Sequence, residues 1–161
     1  MNLSVPYLGK TWPHPFVLAS APPTANGEMI ARAFDAGWAG AVVKTLIREP
    51  VRNLHNRFAS NRLGGRIYGF ENIELLSELS PEEWFRDIRA LKRAYPDRML
   101  IGSVMGVATD KDPWLELALG CQEAGADAVE LNFRVRMGIL KKDRARPSDR
   151  TRTTRPGLRN G

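Results

Sequence analysis

Short apolar runs and amphipathic stretches alternate along the first 133 residues, and beyond them the pattern ends. "LSVPYLGKTWPHPFVLASA" holds two apolar runs separated by "GKTWPHP". This reads as a small hairpin leading into a first buried strand from Phe16 to Ala21. "PPTANGEMIARAFDAG" reads as a turn and a helix, with Met29, Ile30, Ala33 and Phe34 on one face and Gly37 as a left-handed C-cap. "WAGAVVKT" is a second buried strand. From Leu46 to Gly69 the periodicity fails, and the polar, basic, Gly-rich run is expected to be a long loop, a kind that is commonly functional or mobile. "SPEEWFRDIRALKRAYP" is the clearest helix. Ser80 caps it, Pro81 opens its first turn, Glu83 completes a capping box, and Trp84, Ile88, Leu91 and Tyr95 form its apolar stripe. "MLIGSVM" is a third strand. A helix from Asp112 turns Trp114, Leu117, Ala118 and Cys121 inward and stops at Gly125, and "DAVELNF" is a fourth strand.

Strands alternating with helices imply right-handed crossovers and a parallel sheet. "DAGWAGAVV" and "EAGADAVEL" also resemble one another, each a helix end, an Ala-Gly cap and a strand. The expected fold is α/β, the N-terminal half of a TIM-type (β/α)8 barrel preceded by a hairpin; a whole barrel takes about 250 residues. The expected division is a partial barrel over 1–133 and a disordered basic tail over 134–161.

Charge sharpens that division. Of 24 Lys and Arg, ten fall in 134–161, against two of the 18 Asp and Glu. The tail therefore carries +8 of the net +6, and the first 133 residues are at −2. The basic balance belongs to the tail, which removes the main argument for nucleic-acid binding by the domain. A single cysteine, Cys121, permits no intrachain disulfide and reads as a small core residue. The N-terminus lacks the pattern of a signal peptide, and no apolar run approaches the roughly 20 residues that span a bilayer. A soluble, cytoplasmic protein is expected.

In such a barrel the C-terminal strand ends form the active face. The polar residues there are Ser20, Lys44 with Thr45, Ser103 and Asn132. A lone Ser or Thr at such a place is ordinarily a turn or cap residue. Lys44, an ammonium ending the apolar run "AGAVVK", demands an acceptor, and Asn132 has four hydrogen-bond sites to satisfy. Together they point to a pocket for a polar, anionic ligand. His14 and His55 have no partner at metal-ligand spacing and read as surface residues, so no metal site is expected. Gly64 and Gly65 signal a loop, with no phosphate motif around them.

"FVLASAPPTANGEMIARAFDAGWAGAVVKT", "IYGFENIELLSE", "YPDRMLIGSVMG" and "AGADAVELNF" resemble the flavin-binding barrel of dihydropyrimidine dehydrogenases, and more narrowly the catalytic subunit of the bacterial NAD-dependent kind, relatives of class 1 dihydroorotate dehydrogenases. The resemblance covers nearly all of residues 3–133. It implies an FMN cofactor and a pyrimidine substrate, dihydrouracil or dihydrothymine being interconverted with uracil or thymine. It also implies an NAD(H)/FAD electron-transfer subunit and a homo- or hetero-oligomer at full length. It places Ala19 and Ser20 beside the flavin, Lys44 of "VKT", next to Thr45, at the N1–C2 carbonyl edge, and Ser103 near the ring. Asn72 of "GFENIEL" and Asn132 of "ELNF" match asparagines that hydrogen-bond the pyrimidine. Without the resemblance, Asn72 reads as a helix N-cap.

In that family "ELNF" runs on as Ser-Cys-Pro-His-Gly, whose cysteine is the catalytic general acid. Here Arg134-Val135-Arg136-Met137-Gly138 follows, with Val135 at the cysteine's position. Codons CGT GTC CGC ATG GGN encode these five residues. With one T placed in front, the same bases read TCG TGT CCG CAT GGG, which spells Ser-Cys-Pro-His-Gly. The expectation is a base missing after codon 133 and an out-of-frame tail; tail codons that cannot spell the family motif in the other frame would sink it. A half barrel without the cysteine is expected to be inactive, to bind FMN weakly or not at all, and to aggregate. The alternatives are a dihydroorotate dehydrogenase, a non-catalytic fragment whose basic tail holds an anion such as nucleic acid, and a phosphate-binding barrel that uses no flavin.

Overall fold

The computed structural model describes residues 2–52, 58–72, 75–107 and 109–133. His55, Val135 and the whole of 134–161, with the readings of a disordered or out-of-frame tail, lie outside the described residues. In chain order the strands are β1 (Val5–Tyr7), β2 (Lys10–Trp12), β3 (Val17–Leu18), β4 (Gly40–Val42), β5 (Phe58–Leu63), β6 (Arg66–Asn72), β7 (Met99–Val104) and β8 (Ala128–Leu131). The helices are α1 (Gly27–Asp35), α2 (Pro81–Ala94) and α3 (Asp112–Glu123).

Four of the strands, β3, β4, β7 and β8, form one parallel sheet in that order, each beside its successor. The helical crossovers pack on one face. Ile30 and Phe34 of α1, Trp84, Ile88 and Leu91 of α2, and Leu117 and Cys121 of α3 close a core over Ala41, Val43, Leu100 and Val104. Alternation along each strand then sends Val42, Lys44, Ile101, Ser103 and Glu130 to the other face. The α/β reading and its parallel order hold, and the arrangement is compatible with part of a barrel.

The helix ends follow the local chemistry of the sequence. Asn26 accepts from the Met29 amide, and Gly37 takes a φ of +101° that a Cβ would strain. At α2 the Ser80 hydroxyl accepts from the Glu83 amide while the Glu83 carboxylate accepts from the Ser80 amide. Those hydrogen bonds, the Ser80 amide first, hold the Glu83 carboxyl below its ordinary range.

Three expectations are corrected. The first hairpin turns at Leu8–Gly9, both with positive φ, and pairs β1 with β2, so "GKTWPHP" is a strand and its exit rather than a connection. The long loop contains a second antiparallel hairpin, β5 with β6, turned at Gly64–Gly65. Asn72 ends β6 opposite Phe58 and caps no helix.

The first hairpin covers the N-terminal end of the sheet. Trp12 is buried and its indole N–H donates to the Tyr7 carbonyl. Asp127, almost wholly buried, accepts from Lys10 of β2, from Lys92 of α2 at 2.8 Å and from the Leu100 amide of β7 at 2.9 Å. Burial opposes its ionisation, but the two ammonium partners and the amide outweigh it and hold its carboxyl below the ordinary range.

Candidate functional site

The opposite, C-terminal end of the sheet is polar. A 3₁₀ turn over Pro22–Thr24 follows β3, and the buried Thr24 hydroxyl bonds the carbonyls of Ala19 and Ala21. The Thr24 carbonyl accepts from the Lys44 amide at 3.0 Å, which ties the end of β3 to the end of β4. The ladder then runs past the regular strands. The Leu46 amide donates to the Ser103 carbonyl, the Met105 amide to the Leu46 carbonyl, and the Asn132 amide to the Val104 carbonyl. Four chain segments are thereby fixed side by side where the strands stop.

Their side chains meet at Thr45. Its hydroxyl lies 3.2 Å from that of Ser20 and 2.9 Å from that of Ser103, and it accepts from the Asn132 carboxamide at 3.1 Å. The Thr45 amide donates to the Ser20 hydroxyl at 3.1 Å. Ser103 in turn donates to the Glu130 carboxylate at 2.7 Å. Thr45 and Ser103 are buried at 3% and 0% exposure, so the bond between them forms out of water, where leaving a polar group unpaired would cost about 1–3 kcal/mol, while those to Ser20, Asn132 and the exposed Glu130 are only partly buried.

Lys44 is only 7% exposed. The register pairs Val42 with Ile101 and then Leu46 with Val104, so the three residues Val43 to Thr45 stand against Gly102 and Ser103, and Ser103 is in turn paired with Glu130. Ala19 is exposed at the end of β3 and offers only a methyl there.

Of the residues singled out in the sequence, Ser20, Thr45, Ser103 and Asn132 are thus brought together, with Lys44 and Ala19 on the same strand ends. Asn72 is not part of that group; it belongs to the separate sheet of β5 and β6. Sequence reasoning passed over Glu130. The signal was there in "VELN", where alternation puts Glu130 on the face of Asn132 in an otherwise apolar strand.

A cation, a carboxamide and several hydroxyls at the ends of parallel strands suit the polar edge of a planar heterocycle, such as the pyrimidine side of a flavin. Cys121 is no substitute for a catalytic thiol. It is buried under the sheet at 0% exposure, and burial pushes its thiol up to about 12. Among the described residues no group of His, Cys, Asp and Glu is placed to hold a metal ion, and no helix is long and apolar enough to cross a membrane.

No protein-family model matches the chain. Among curated proteins it is 38% identical over 149 residues, 88% of its length, to the chloroplastic dihydropyrimidine dehydrogenase (NADP(+)) of Arabidopsis thaliana, of which that match covers 35%. It is 40% identical over 135 residues, 82% of its length, to the NAD-dependent dihydropyrimidine dehydrogenase subunit PreA of Escherichia coli, of which the match covers 32%. The chain spans about a third of the length of these relatives. Over that third, the chain is homologous to the dihydropyrimidine dehydrogenases, as its strand-end motifs lead one to expect.

Proposed function

We propose that the chain carries the flavin- and substrate-facing strand ends of an FMN-dependent oxidoreductase that interconverts 5,6-dihydropyrimidines and pyrimidines. The observation that carries this reading is the convergence of Ser20, Ser103 and Asn132 on the Thr45 hydroxyl beside the buried Lys44. The names of the relatives favour a dihydropyrimidine over dihydroorotate. The bound flavin would supply the hydride chemistry.

Lys44 would set its ammonium against the carbonyl edge of the ring, where the reduced form concentrates negative charge. A cation held in a poorly hydrated place acts there far more strongly than one in water. Ala19 and Ser20 would lie along the ring, the methyl leaving room for a flat surface. Asn132 and Asn72 would recognise the pyrimidine, because a carboxamide offers a donor and an acceptor to a flat imide. The bond from the Asn132 amide nitrogen to Thr45 holds that carboxamide in one orientation. An NAD(H)-oxidising or NAD(H)-reducing flavin subunit would exchange electrons with the site, in keeping with the "NAD-dependent" and "subunit" in the name of the bacterial relative.

Val135 stands where the resemblance expects the proton-donating cysteine, and an isopropyl group has no proton to give. The chain by itself is therefore proposed to leave dihydropyrimidines unconverted. Residues 3–133 exchanged for the matching segment of the bacterial relative, whose own sequence then follows, should restore dihydrouracil oxidation in the presence of the partner subunit. A folded chimaera without turnover would count against this reading, and so would turnover by the chain alone.

A further inference from the structure

A carboxamide ends in two branches of nearly equal size, one nitrogen and one oxygen. Packing does not tell them apart, so the hydrogen bonds around the group decide which way it faces. At Asn132 that decision falls to Thr45, whose buried hydroxyl meets three side chains with one proton and two lone pairs. Ser103, wholly buried, lies within bonding distance of both Thr45 and Glu130 and also has one proton to give. It donates that proton to the Glu130 carboxylate at 2.7 Å. Ser103 then accepts from Thr45, which spends the Thr45 proton. What Thr45 offers Asn132 is a lone pair, and the nitrogen branch turns to it at 3.1 Å.

The opposite facing is one bond short. With the Asn132 oxygen toward Thr45, the Thr45 proton would have to go to Asn132. Thr45 and Ser103 would then stand 2.9 Å apart with no proton between them, unless Ser103 took its proton away from Glu130. Either way one hydrogen bond is lost beside two buried hydroxyls, enough to hold the reversed form to about a tenth of the molecules or fewer. We propose that Ser103 is a positioning residue that fixes, through Thr45, the order in which the Asn132 carboxamide presents its donor and its acceptor. The main chain sets the two residues up for this, since the Asn132 amide is bonded to the Val104 carbonyl and the Thr45 amide to the Ser20 hydroxyl.

The consequence is a choice between ring edges. A lactam edge sets a carbonyl beside an N–H, whereas an aminopyrimidine edge sets an amino group beside a bare ring nitrogen. The two carry donor and acceptor in opposite order. A carboxamide that turns over freely reads both, and one that is held reads only one. This selection rests on the reading of the strand ends as a site for dihydropyrimidines: the held order is then the lactam one, and the amino edge of cytosine is refused. The facing of Asn132 itself requires no ligand.

Two measurements test this. In the ligand-free full chain, isotope-labelled at asparagine, one Nδ2 proton of Asn132 should be protected from exchange and should show a magnetic-resonance contact with the Thr45 methyl group. Ser103→Ala lets Thr45 give its proton to Asn132 or to Ser20 with the same number of bonds, so the protection should fall severalfold and a second Asn132 signal should appear. Glu130→Leu, at an exposed position, removes the acceptor of the Ser103 proton and should do the same. In the chimaera, either substitution should shift the preference for dihydrouracil over cytosine, the ratio of the KM of one to the inhibition constant of the other, about tenfold toward cytosine. A general loosening of the site would weaken both rings alike and leave that ratio where it was. A folded variant chain whose Asn132 carboxamide stays single and protected would overturn the proposal, as would an unchanged ratio in an active chimaera. A chimaera without turnover counts against the reading of the site, and the Asn132 signals of the chain then decide on Ser103.

Discussion

Thr45 shows how much a single hydroxyl organises here. It bonds side chains from three other strand segments, and its own amide holds Ser20. Such positions were legible in the sequence because each ends an apolar run, where a polar group has to be satisfied. Their mutual contact was not legible, since 25 residues separate Ser20 from Thr45 and 87 separate Asn132 from Thr45. Glu130 escaped notice because a carboxylate at a strand end looks like an ordinary solvated residue until the register puts it against Ser103. Close packing under the sheet gives a sharper residue-scale expectation. A Cβ on Gly102 would lie 2.6 Å from the Cys121 sulfur and 2.8 Å from its Cβ, with α3 behind it. Gly102→Ala should therefore cost about 2 kcal/mol, from the overpacking. Chemical denaturation reads this directly, and an unchanged midpoint would mean that α3 is free to move away from β7.

At the scale of elements, what the sequence announced was what is local. The caps of α1 and α2 and the left-handed glycines at 37 and 125 use side-chain chemistry within a few residues of each helix end. The hairpin of β5 and β6 went unseen because no burial imposes a period on it; Leu63, Ile67, Tyr68 and Phe70 are all exposed. Its strands are held by main-chain pairing and a Gly-Gly turn, which leave little trace in hydropathy. The opposite case is Asp127, one carboxylate that joins β2, α2 and β7 across more than 100 residues of sequence. Its ionisation is favoured in the folded state, so the stability it contributes is present above the ordinary carboxylate range. It is lost as pH falls below about 4 and through the depressed folded value. Asp127→Asn should cost about 3 kcal/mol at neutral pH, because Lys92 is left mostly buried without its counter-charge. The half-exposed Lys10 adds little. The variant should also lose part of the acid-induced fall in stability. Parallel stability curves for the two proteins down to about pH 3 would show that the clamp is not formed in solution.

For the molecule as a whole, the parallel order of four strands and the helices on one face follow from the alternating pattern, and homology to dihydropyrimidine dehydrogenases runs through the same residues. The polar strand ends lie on one side of the sheet and the hairpin-and-Asp127 closure on the other, a division compatible with part of a barrel. The central proposal is that the polar strand ends hold a flavin, and the flavin content of the chimaera with residues 3–133 tests it most directly. The account predicts about one FMN per chain in the purified chimaera, falling severalfold when Lys44 is replaced by Met with the fold intact, since one charged hydrogen bond is worth about 1.5–3 kcal/mol. A folded chimaera that carries no flavin, or one whose flavin content is indifferent to Lys44, would contradict it.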